Sequence, residues 1–407
     1  METRLAAWIA DTAAGREADA ILRSCVHCGF CLATCPTYQL LGDELDSPRG
    51  RIYQIKQVLE GAEPTRATQL HLDRCLTCRN CESTCPSGVQ YGHLVDIGRE
   101  VVAQRVHRSY RDRLLRWLLR ETLTRPRLFA VGVRLGRSVA RLLPRALRDK
   151  LPVSPAAGRW PTRSHSRKVL LLKGCVQPSL LPAIDAATAR VLDALGIQVL
   201  VSGGSGCCGA IRQHLDDQGG ALGNLRRNID AWWPYVESGQ VEAIIINASG
   251  CSAMVKDYGH LLRNDAAYAE KAQRIAGIAR DLAEFLPAEL ARSSLPRPRT
   301  PARVAFHPPC TLQHGLKVRG AVEGVLRGWG AELAPVPDSH LCCGSAGTYS
   351  LLQPELSGQL RAAKLNALQS GAPEVILSAN VGCITHLQSG TRTPVRHWIE
   401  WLDEHLA

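Results

Sequence analysis

Sixteen cysteines fall into four quartets, and none is left over. Cys25, Cys28, Cys31 and Cys35 form the first, and Cys75, Cys78, Cys81 and Cys85 the second. Cys175, Cys207, Cys208 and Cys251 form the third, and Cys310, Cys342, Cys343 and Cys383 the fourth. The first two quartets share one spacing at an offset of 50 residues. In the last two, a single Cys is followed 32 residues on by Cys-Cys-Gly, and later by one more Cys. Internal repeats set the organisation of a chain before any fold is considered. Here they give a duplicated short motif followed by two copies of a longer unit. Cysteines kept only as small buried hydrophobes would not sort in this way.

The cellular setting narrows what the thiols can be. No apolar run approaches the ~18–20 residues that span a bilayer. The start, METRLAAWIADTAAGREADA, is polar-interrupted and lacks the charged-then-apolar layout of a signal peptide. A mature chain beginning near Met1 in the reducing cytosol is expected, with no signal peptide and no transmembrane segment; disulfides are disfavoured there. Sixteen thiols then ask for metal or redox chemistry. The length of 407 residues suits two or three domains, and 45% hydrophobic with 21% charged residues excludes wholesale disorder.

Cys25-Val-His-Cys28-Gly-Phe-Cys31-Leu-Ala-Thr-Cys35-Pro36 reads C-x2-C-x2-C-x3-C-P, and Cys75 to Pro86 repeats it. Three thiolates at this spacing wrap one face of an iron–sulfur cube, and the fourth Cys serves the other cluster in two-cluster ferredoxins. The spacing therefore predicts one [4Fe–4S] cluster on Cys25, Cys28, Cys31 and Cys85, and a second on Cys75, Cys78, Cys81 and Cys35. Paired zinc sites are disfavoured, because the run leaves no spacer to close a tetrahedral finger. His27 inside the first run is expected to line its cluster rather than bind it. Arg23, Arg74 and Arg79 beside the runs are candidates to offset cluster charge. The insert from Ser47-Pro48 through Ile52, Ile55 and Leu59 has helical spacing with a Ser-Pro start. With its helix-bearing period, this part resembles the α-helical ferredoxin of the succinate dehydrogenase iron–sulfur subunit.

Charge is segregated. Residues 101–168 carry 18 Lys and Arg against 3 Asp and Glu, so outside them a chain of formal charge +12 is slightly acidic. Arg134, Arg137, Arg141, Arg145 and Arg148 share one helical face, and Leu135, Val139 and Leu142 another; Pro126 and Pro144 divide the stretch. Two readings stand side by side. One is a basic amphipathic surface for anionic lipid or an acidic partner, the other a solvated connector. Nucleic acid is not expected, since no reader motif accompanies the stripe.

The longer units each open on an apolar run, Val169–Leu172 and Arg303–Phe306, and carry a second before their last Cys, Ala243–Ile246 and Glu374–Leu377. Strands alternating with helices imply α/β units with parallel sheets, whose loop cysteines gather at one sheet edge. Gly204-Ser-Gly206-Cys-Cys-Gly209 matches G-x-G-x-x-G, with Asp230 further on. Asp230 sits in a helical stretch and the sister copy lacks the pattern, so flavin or dinucleotide binding is rejected.

The tandem Cys…Cys-Cys-Gly…Cys units resemble the cysteine-rich domains of the heterodisulfide reductase family. Within it the chain is similar to the iron–sulfur subunits of glycolate oxidases (glycolate dehydrogenases). Asp46-Ser-Pro-Arg-Gly-Arg-Ile-Tyr53, Phe306-His-Pro-Pro-Cys-Thr-Leu-Gln-His314, Ser339 to Tyr349 and Ser378 to His386 carry that similarity. The resemblance implies an electron-transfer subunit of a glycolate dehydrogenase complex, with no substrate-oxidising site of its own. FAD would reside only in partner subunits that oxidise glycolate to glyoxylate, and a respiratory quinone or another acceptor would take the electrons. Peripheral contact with the cytoplasmic face of the inner membrane would run through the basic linker. Lactate or anaerobic glycerol-3-phosphate dehydrogenase complexes are alternative homes, as is a catalytic disulfide or quinone reductase acting at the Cys-Cys-Gly centre. The last Cys of such units belongs to a C-x2-C pair, but here the pairs read Cys251-Ser-Ala-Met254 and Cys383-Ile-Thr-His386. A further iron–sulfur cluster or redox site is thus expected on Cys310, Cys342, Cys343 and Cys383 with His386. Cys175, Cys207, Cys208 and Cys251 are weaker candidates, and a purely structural role stays open for both sets. The expected architecture is α+β. It comprises an α-helical ferredoxin-like domain with two [4Fe–4S] motifs (1–100), a basic helical linker (101–165) and two α/β cysteine-rich domains (166–295 and 300–407).

Overall fold

The computed structural model describes residues 1–139, 156–296 and 302–406. Arg141, Leu142, Pro144, Arg145 and Arg148 of the expected basic stripe lie outside these.

The N-terminal module is helical. Helices Ala13–Ser24, Pro48–Leu59, Arg66–Asp73 and Tyr91–Arg105 pack around Leu22, Ile55, Leu59, Leu72, Leu94 and Val95, all essentially inaccessible. Ser47 caps the second of these, its hydroxyl accepting from the Gly50 N–H at 2.9 Å with Pro48 in the first turn. That is the Ser-Pro start read from the sequence, and it fits because Pro has no N–H to leave unpaired there. The last helix runs on to Arg105, through residue 100. The linker follows as two helices, Tyr110–Leu123 and Pro126–Ser138.

The remainder builds two parallel sheets of the same topology. Strands β1 (Arg167–Leu171), β2 (Ile197–Leu200), β3 (Ala243–Ile246) and β4 (Ala279–Asp281) lie in the order β2-β1-β3-β4. Strands β5 (Ala302–His307), β6 (Ala331–Leu333), β7 (Val375–Ser378) and β8 (Val395–His397) repeat it as β6-β5-β7-β8. Val169 pairs with Val199 on one side and Ala243 on the other; Val304 likewise pairs with Leu333 and Val375. All four β3 residues are buried, as continuous apolar strands covered on both faces must be. Strands β2 and β6 are the strands expected to lead to each Cys-Cys-Gly; the edge strands β4 and β8 were not singled out from the sequence, since three residues give too little periodicity to stand out.

The two units share one core. Leu171, Ile184 and Leu286 belong to the same apolar cluster as Val304, Leu377 and Trp398. Across the seam, the Ser249 N–H donates to the Ala379 carbonyl at 3.1 Å, and His397 Nε2 meets the Asn247 carbonyl at 2.9 Å. Among the described residues, no helix is long and apolar enough to cross a membrane.

Candidate iron–sulfur and cysteine centres

In each unit the chain leaves the carboxyl end of a strand and delivers its cysteines to one edge. Cys175 follows β1, Cys207 and Cys208 follow β2, and Cys251 opens the helix after β3; Cys310, Cys342, Cys343 and Cys383 do the same after β5, β6 and β7. The strand order reverses at β1 and at β5, so these edges are the topological switch points where open α/β sheets form sites. Glycine completes the vicinal pair for a steric reason. Gly209 and Gly344 have φ of 99° and 86°, and a Cβ would lie 2.6 Å from Leu225 in one and 2.8 Å from Leu360 in the other. The turn aims each glycine N–H back at the first sulfur of its pair, Cys207 at 3.5 Å and Cys342 at 3.4 Å. Such N–H···S contacts favour the thiolate.

The two N-terminal runs fold alike. His27 and Thr77, at matching positions, both adopt the left-handed region, φ 56° and 52°. Non-glycine residues rarely do so, at a cost of about 1–2 kcal/mol each. Duplicated strain of this kind belongs to a loop shaped for what it holds. The fourth cysteines cross over. One cavity is lined by Cys25, Cys28, Cys31 and Cys85, and by Cys81, which lines both cavities. Another is lined by Cys35, Cys75, Cys78 and Cys81. All sixteen thiols are free. Burial together with neighbouring thiols drives Cys78 and Cys81 well above the ordinary thiol range and Cys31 up to about 11. Thiols this crowded and this reluctant to ionise alone fit a cationic metal group that would stabilise them as thiolates.

Of the positive charges the sequence suggested, Arg79 lines the second cavity, and all three arginines are paired with carboxylates. Arg23 pairs with Asp19, Arg79 with Glu82, and Arg74 with Asp46 at 2.8 Å. Arg51, in the cavity wall, and Arg99, behind Cys75, add charges the sequence did not suggest. Arg51 is 1% exposed, pairs with the fully buried Asp46 at 3.1 Å and donates to the His71 carbonyl at 2.7 Å, with its charge beside Cys75 and Cys35. Arg99 donates to the Cys75 carbonyl at 2.6 Å. Tyr91 adds a hydroxyl 3.6 Å from the Cys75 sulfur. Arg51 stands within one of the stretches that carry the resemblance; its role was invisible because Cys75 reaches it only through tertiary packing. His27 stacks edge-on against Tyr53 and contacts the Met1 sulfur, lining the first cavity as expected.

The second run docks on the second unit. Leu76 and Cys78 pack with Cys310, Cys342 and Tyr349 in one apolar cluster. Asn80 bridges the Thr34 and His340 carbonyls at 3.0 and 3.3 Å. His314 is held between Ser83 and the His340 carbonyl; since Nε2–H must donate to that carbonyl at 2.9 Å, Nδ1 accepts from the Ser83 hydroxyl at 3.0 Å. Burial lowers this imidazole to about 4, which keeps Nδ1 free to accept. The helices of the module instead meet the first unit. Glu17 takes His260 Nε2 at 3.0 Å and Arg263 at 2.6 Å, and His93 stacks on His260 with ring centres 4.1 Å apart.

All these parts border one large cavity of about 810 Å³. Cys75 and Cys78 open onto it from the module, Cys175, Cys208 and Cys251 from the first unit, and Cys310, Cys342 and Cys383 from the second. Leu128, Val131 and Leu135 of the Pro126–Ser138 helix wall its outer side. The linker is therefore more than a solvated connector. Its Arg108 and Arg116 also tie Asp73 of the module to Asp216 of the first unit.

Within the second unit, Cys310, Cys342, Cys343 and Cys383 form a chain of thiols in mutual contact. The buried Lys364 lies beside them, a residue the sequence reading missed. His386 borders the large cavity, its Nε2 3.1 Å from the Ser357 hydroxyl. In the first unit Cys175, Cys207, Cys208 and Cys251 make the same chain, in which Cys207, hydrogen-bonded by Cys175 and Cys208, falls well below the usual thiol range while its neighbours rise. Asp230 is on a helix and accepts from Tyr268 at 3.0 Å, away from any strand end.

The sequence of these parts is similar to that of known proteins. Residues 21–89 match the 4Fe-4S dicluster domain, and residues 169–256 and 304–388 each match the cysteine-rich domain (CCG). The chain is 30% identical over 226 residues to lactate utilization protein A of Bacillus licheniformis, covering 54% of this chain and 90% of that protein. It is 30% identical over 402 residues to the probable glycolate oxidase iron-sulfur subunit of Bacillus subtilis, covering 91% and 89%. It is 55% identical over 408 residues to the glycolate oxidase iron-sulfur subunit of Escherichia coli, covering 100% of this chain and 99% of that one. With dicluster module, linker and both cysteine-rich units matched end to end, the chain belongs to the family of glycolate oxidase iron–sulfur subunits.

Proposed function

We propose that this chain is the electron-transferring iron–sulfur subunit of a complex that oxidises glycolate to glyoxylate. The observation that carries the reading is the crossing of Cys35 and Cys85, each into the cavity of the other run, in a chain similar throughout to a glycolate oxidase subunit. FAD-containing partner subunits remove two electrons from the substrate, and a respiratory quinone or another acceptor receives them. When bound, iron–sulfur groups supply one-electron steps between two-electron donors and acceptors. Cys25, Cys28, Cys31 and Cys85 hold one [4Fe–4S] group in this reading, and Cys35, Cys75, Cys78 and Cys81 the other. Residues 1–100 form the relay, 101–165 the linker, and 166–295 and 300–407 the two cysteine-rich domains.

The residues divide the work by position. Electrons enter at the first set, where Cys28 is exposed between Val26 and Phe30, 67% and 61% accessible, an apolar collar suited to a partner subunit. Arg51 and Arg99 hold positive charge beside Cys75, which lowers the cost of gathering thiolates in a buried place. Cys78 passes directly into the cluster containing Cys310 and Cys342. The large cavity beyond is the acceptor site: its wall is mainly apolar, as a quinone ring requires, and cysteines of all three parts reach it. The linker helices, apolar and arginine-rich at once, bring that wall against an anionic membrane surface.

The test is anaerobic purification with the partner subunits, followed by iron analysis and glycolate-dependent dye reduction. About eight irons per chain fit the two N-terminal groups alone, and about twelve add a group in the second unit. Cys28→Ser should abolish glycolate-dependent dye reduction. Zinc in place of iron would falsify the proposal. The shared cavity also favours a second reading, reduction of a disulfide or quinone at the second unit itself. Cys383→Ser would then stop turnover with the N-terminal spectra intact.

A further inference from the structure

His307 ends strand β5, three residues before Cys310. It is wholly inaccessible, and neither ring nitrogen has a hydrogen-bond partner. Leaving a buried polar group unpaired is costly, and this imidazole carries two such atoms. A buried polar group without a partner needs an explanation, and a missing metal group is one of the few available. The surroundings supply it. A ring nitrogen of His307 and the sulfurs of Cys343 and Cys383 all lie within 4.8 Å of one another.

We propose that His307 supplies a nitrogen ligand to the iron–sulfur group held by Cys310, Cys342, Cys343 and Cys383. The inference rests on the reading that the second unit holds iron, and it moves the nitrogen donor from His386 to His307. Neutral imidazole offers a lone pair that iron accepts in place of thiolate. His386 faces Ser357 instead, at 3.1 Å. His307, Cys343 and Cys383 converge, and Cys342 and Cys310 extend the chain of thiols from them, five donors in a row where a tetrahedral zinc ion takes four, which favours a multinuclear iron group. The buried Lys364 supplies a positive charge beside the same thiols.

The sister unit shows what the position looks like without this task. Leu172 stands three residues before Cys175, 2% exposed in the apolar core, and Met254 occupies the place of His386. The duplication thus keeps four cysteines in both units but a buried nitrogen donor in only one. By the same reasoning the nitrogen-ligated group is specific to the second unit.

The test uses the full chain, purified anaerobically with its partners, grown with and without 15N-histidine. Metal analysis is combined with pulsed EPR of the reduced and oxidised states. A strong nitrogen coupling that changes on histidine labelling is expected. It should vanish in His307→Leu, the side chain the sister unit tolerates, and persist in His386→Leu. If Cys383→Ser removes iron from the chain but the wild type shows no histidine coupling, His307 is not a ligand and the inference alone fails. A coupling that disappears in His386→Leu and not in His307→Leu overturns it equally. If Cys383→Ser changes neither metal content nor spectra, or removes one zinc, the iron reading of the second unit fails instead. Labelling of the wild-type protein keeps the question decidable even where His307→Leu does not fold.

Discussion

Each vicinal cysteine pair ends in a residue that cannot carry a side chain. Gly209→Ala and Gly344→Ala combine a left-handed backbone with a Cβ driven against Leu225 or Leu360. Each should destabilise the folded chain by about 1–3 kcal/mol in chemical denaturation; a loss under 0.5 would show that the loop relaxes at no cost. Arg51 is the opposite case, a residue required for its charge. Arg51→Met leaves the fully buried Asp46 with only Arg74 and His71 as partners. The expected loss is about 1–3 kcal/mol, since Arg74 still pairs with the carboxylate while the buried His71 carbonyl loses its donor. Arg51→Lys should recover part of it, without the planar fork that serves Thr37, Asp46 and the His71 carbonyl together. Equal stability of the Met variant and the wild type would remove Arg51 from this role. What could be read in advance at this scale followed chain distance. The four quartets are legible because their spacing along the chain is itself the signal. Arg51, Lys364 and His307 were not, because each meets its cysteines only after helices and strands distant in sequence have packed.

Among elements, the seam between the N-terminal helices and the first unit carries a titratable group with a definite sign. The two ring nitrogens of His93 face Asp257 at 3.8 Å and Glu17 at 3.4 Å. Interaction with Asp257, then with Glu17, raises this imidazole to about 9. Burial pushes Glu17 upward, but His260 and His93 outweigh it and hold it well below the carboxylate range. The His93 contribution is therefore complete below about pH 6.5 and is lost as pH rises through about 9. Glu17 contributes above about pH 4.5 and loses that contribution as pH falls. Thermal stability should drop between pH 6.5 and 9.5 and drop less in His93→Gln; identical slopes would exclude His93 as the source. The linker helices make the other element-scale prediction. Exposed Leu128, Val131 and Leu135 adjoin exposed Arg127 and Arg134. Arg127→Gln with Arg134→Gln should weaken co-sedimentation with phosphatidylglycerol vesicles several-fold, and added salt should do the same to the wild type. Unchanged, salt-independent sedimentation would assign this face to something other than anionic lipid. From the sequence, the central strands and the Ser47-Pro48 helix start were readable, since each has its own periodicity or cap. The wall that the linker gives the cavity was not, because an amphipathic pattern fixes a face without naming what it covers.

At the scale of the whole molecule, the N-terminal module straddles the tandem units, its second run on one and its helices on the other. Cys28→Ser and Cys85→Ser should perturb the same iron signal by EPR, and Cys78→Ser and Cys35→Ser the other. If Cys85→Ser groups with Cys78→Ser, the exchange of fourth cysteines is wrong. That exchange has a consequence for how the module lives and fails. Cys35 leaves the first run to stand among the thiols of the second, while Cys85 returns to the first. Two sites that each borrow an arm of the other are interlocked like links, and neither can be emptied without loosening its neighbour. In the proposed reading, an oxidant reaching the exposed Cys28 would empty the first site and slacken the loop that carries Cys35 to the second, so damage at the surface would be felt at the sheltered site.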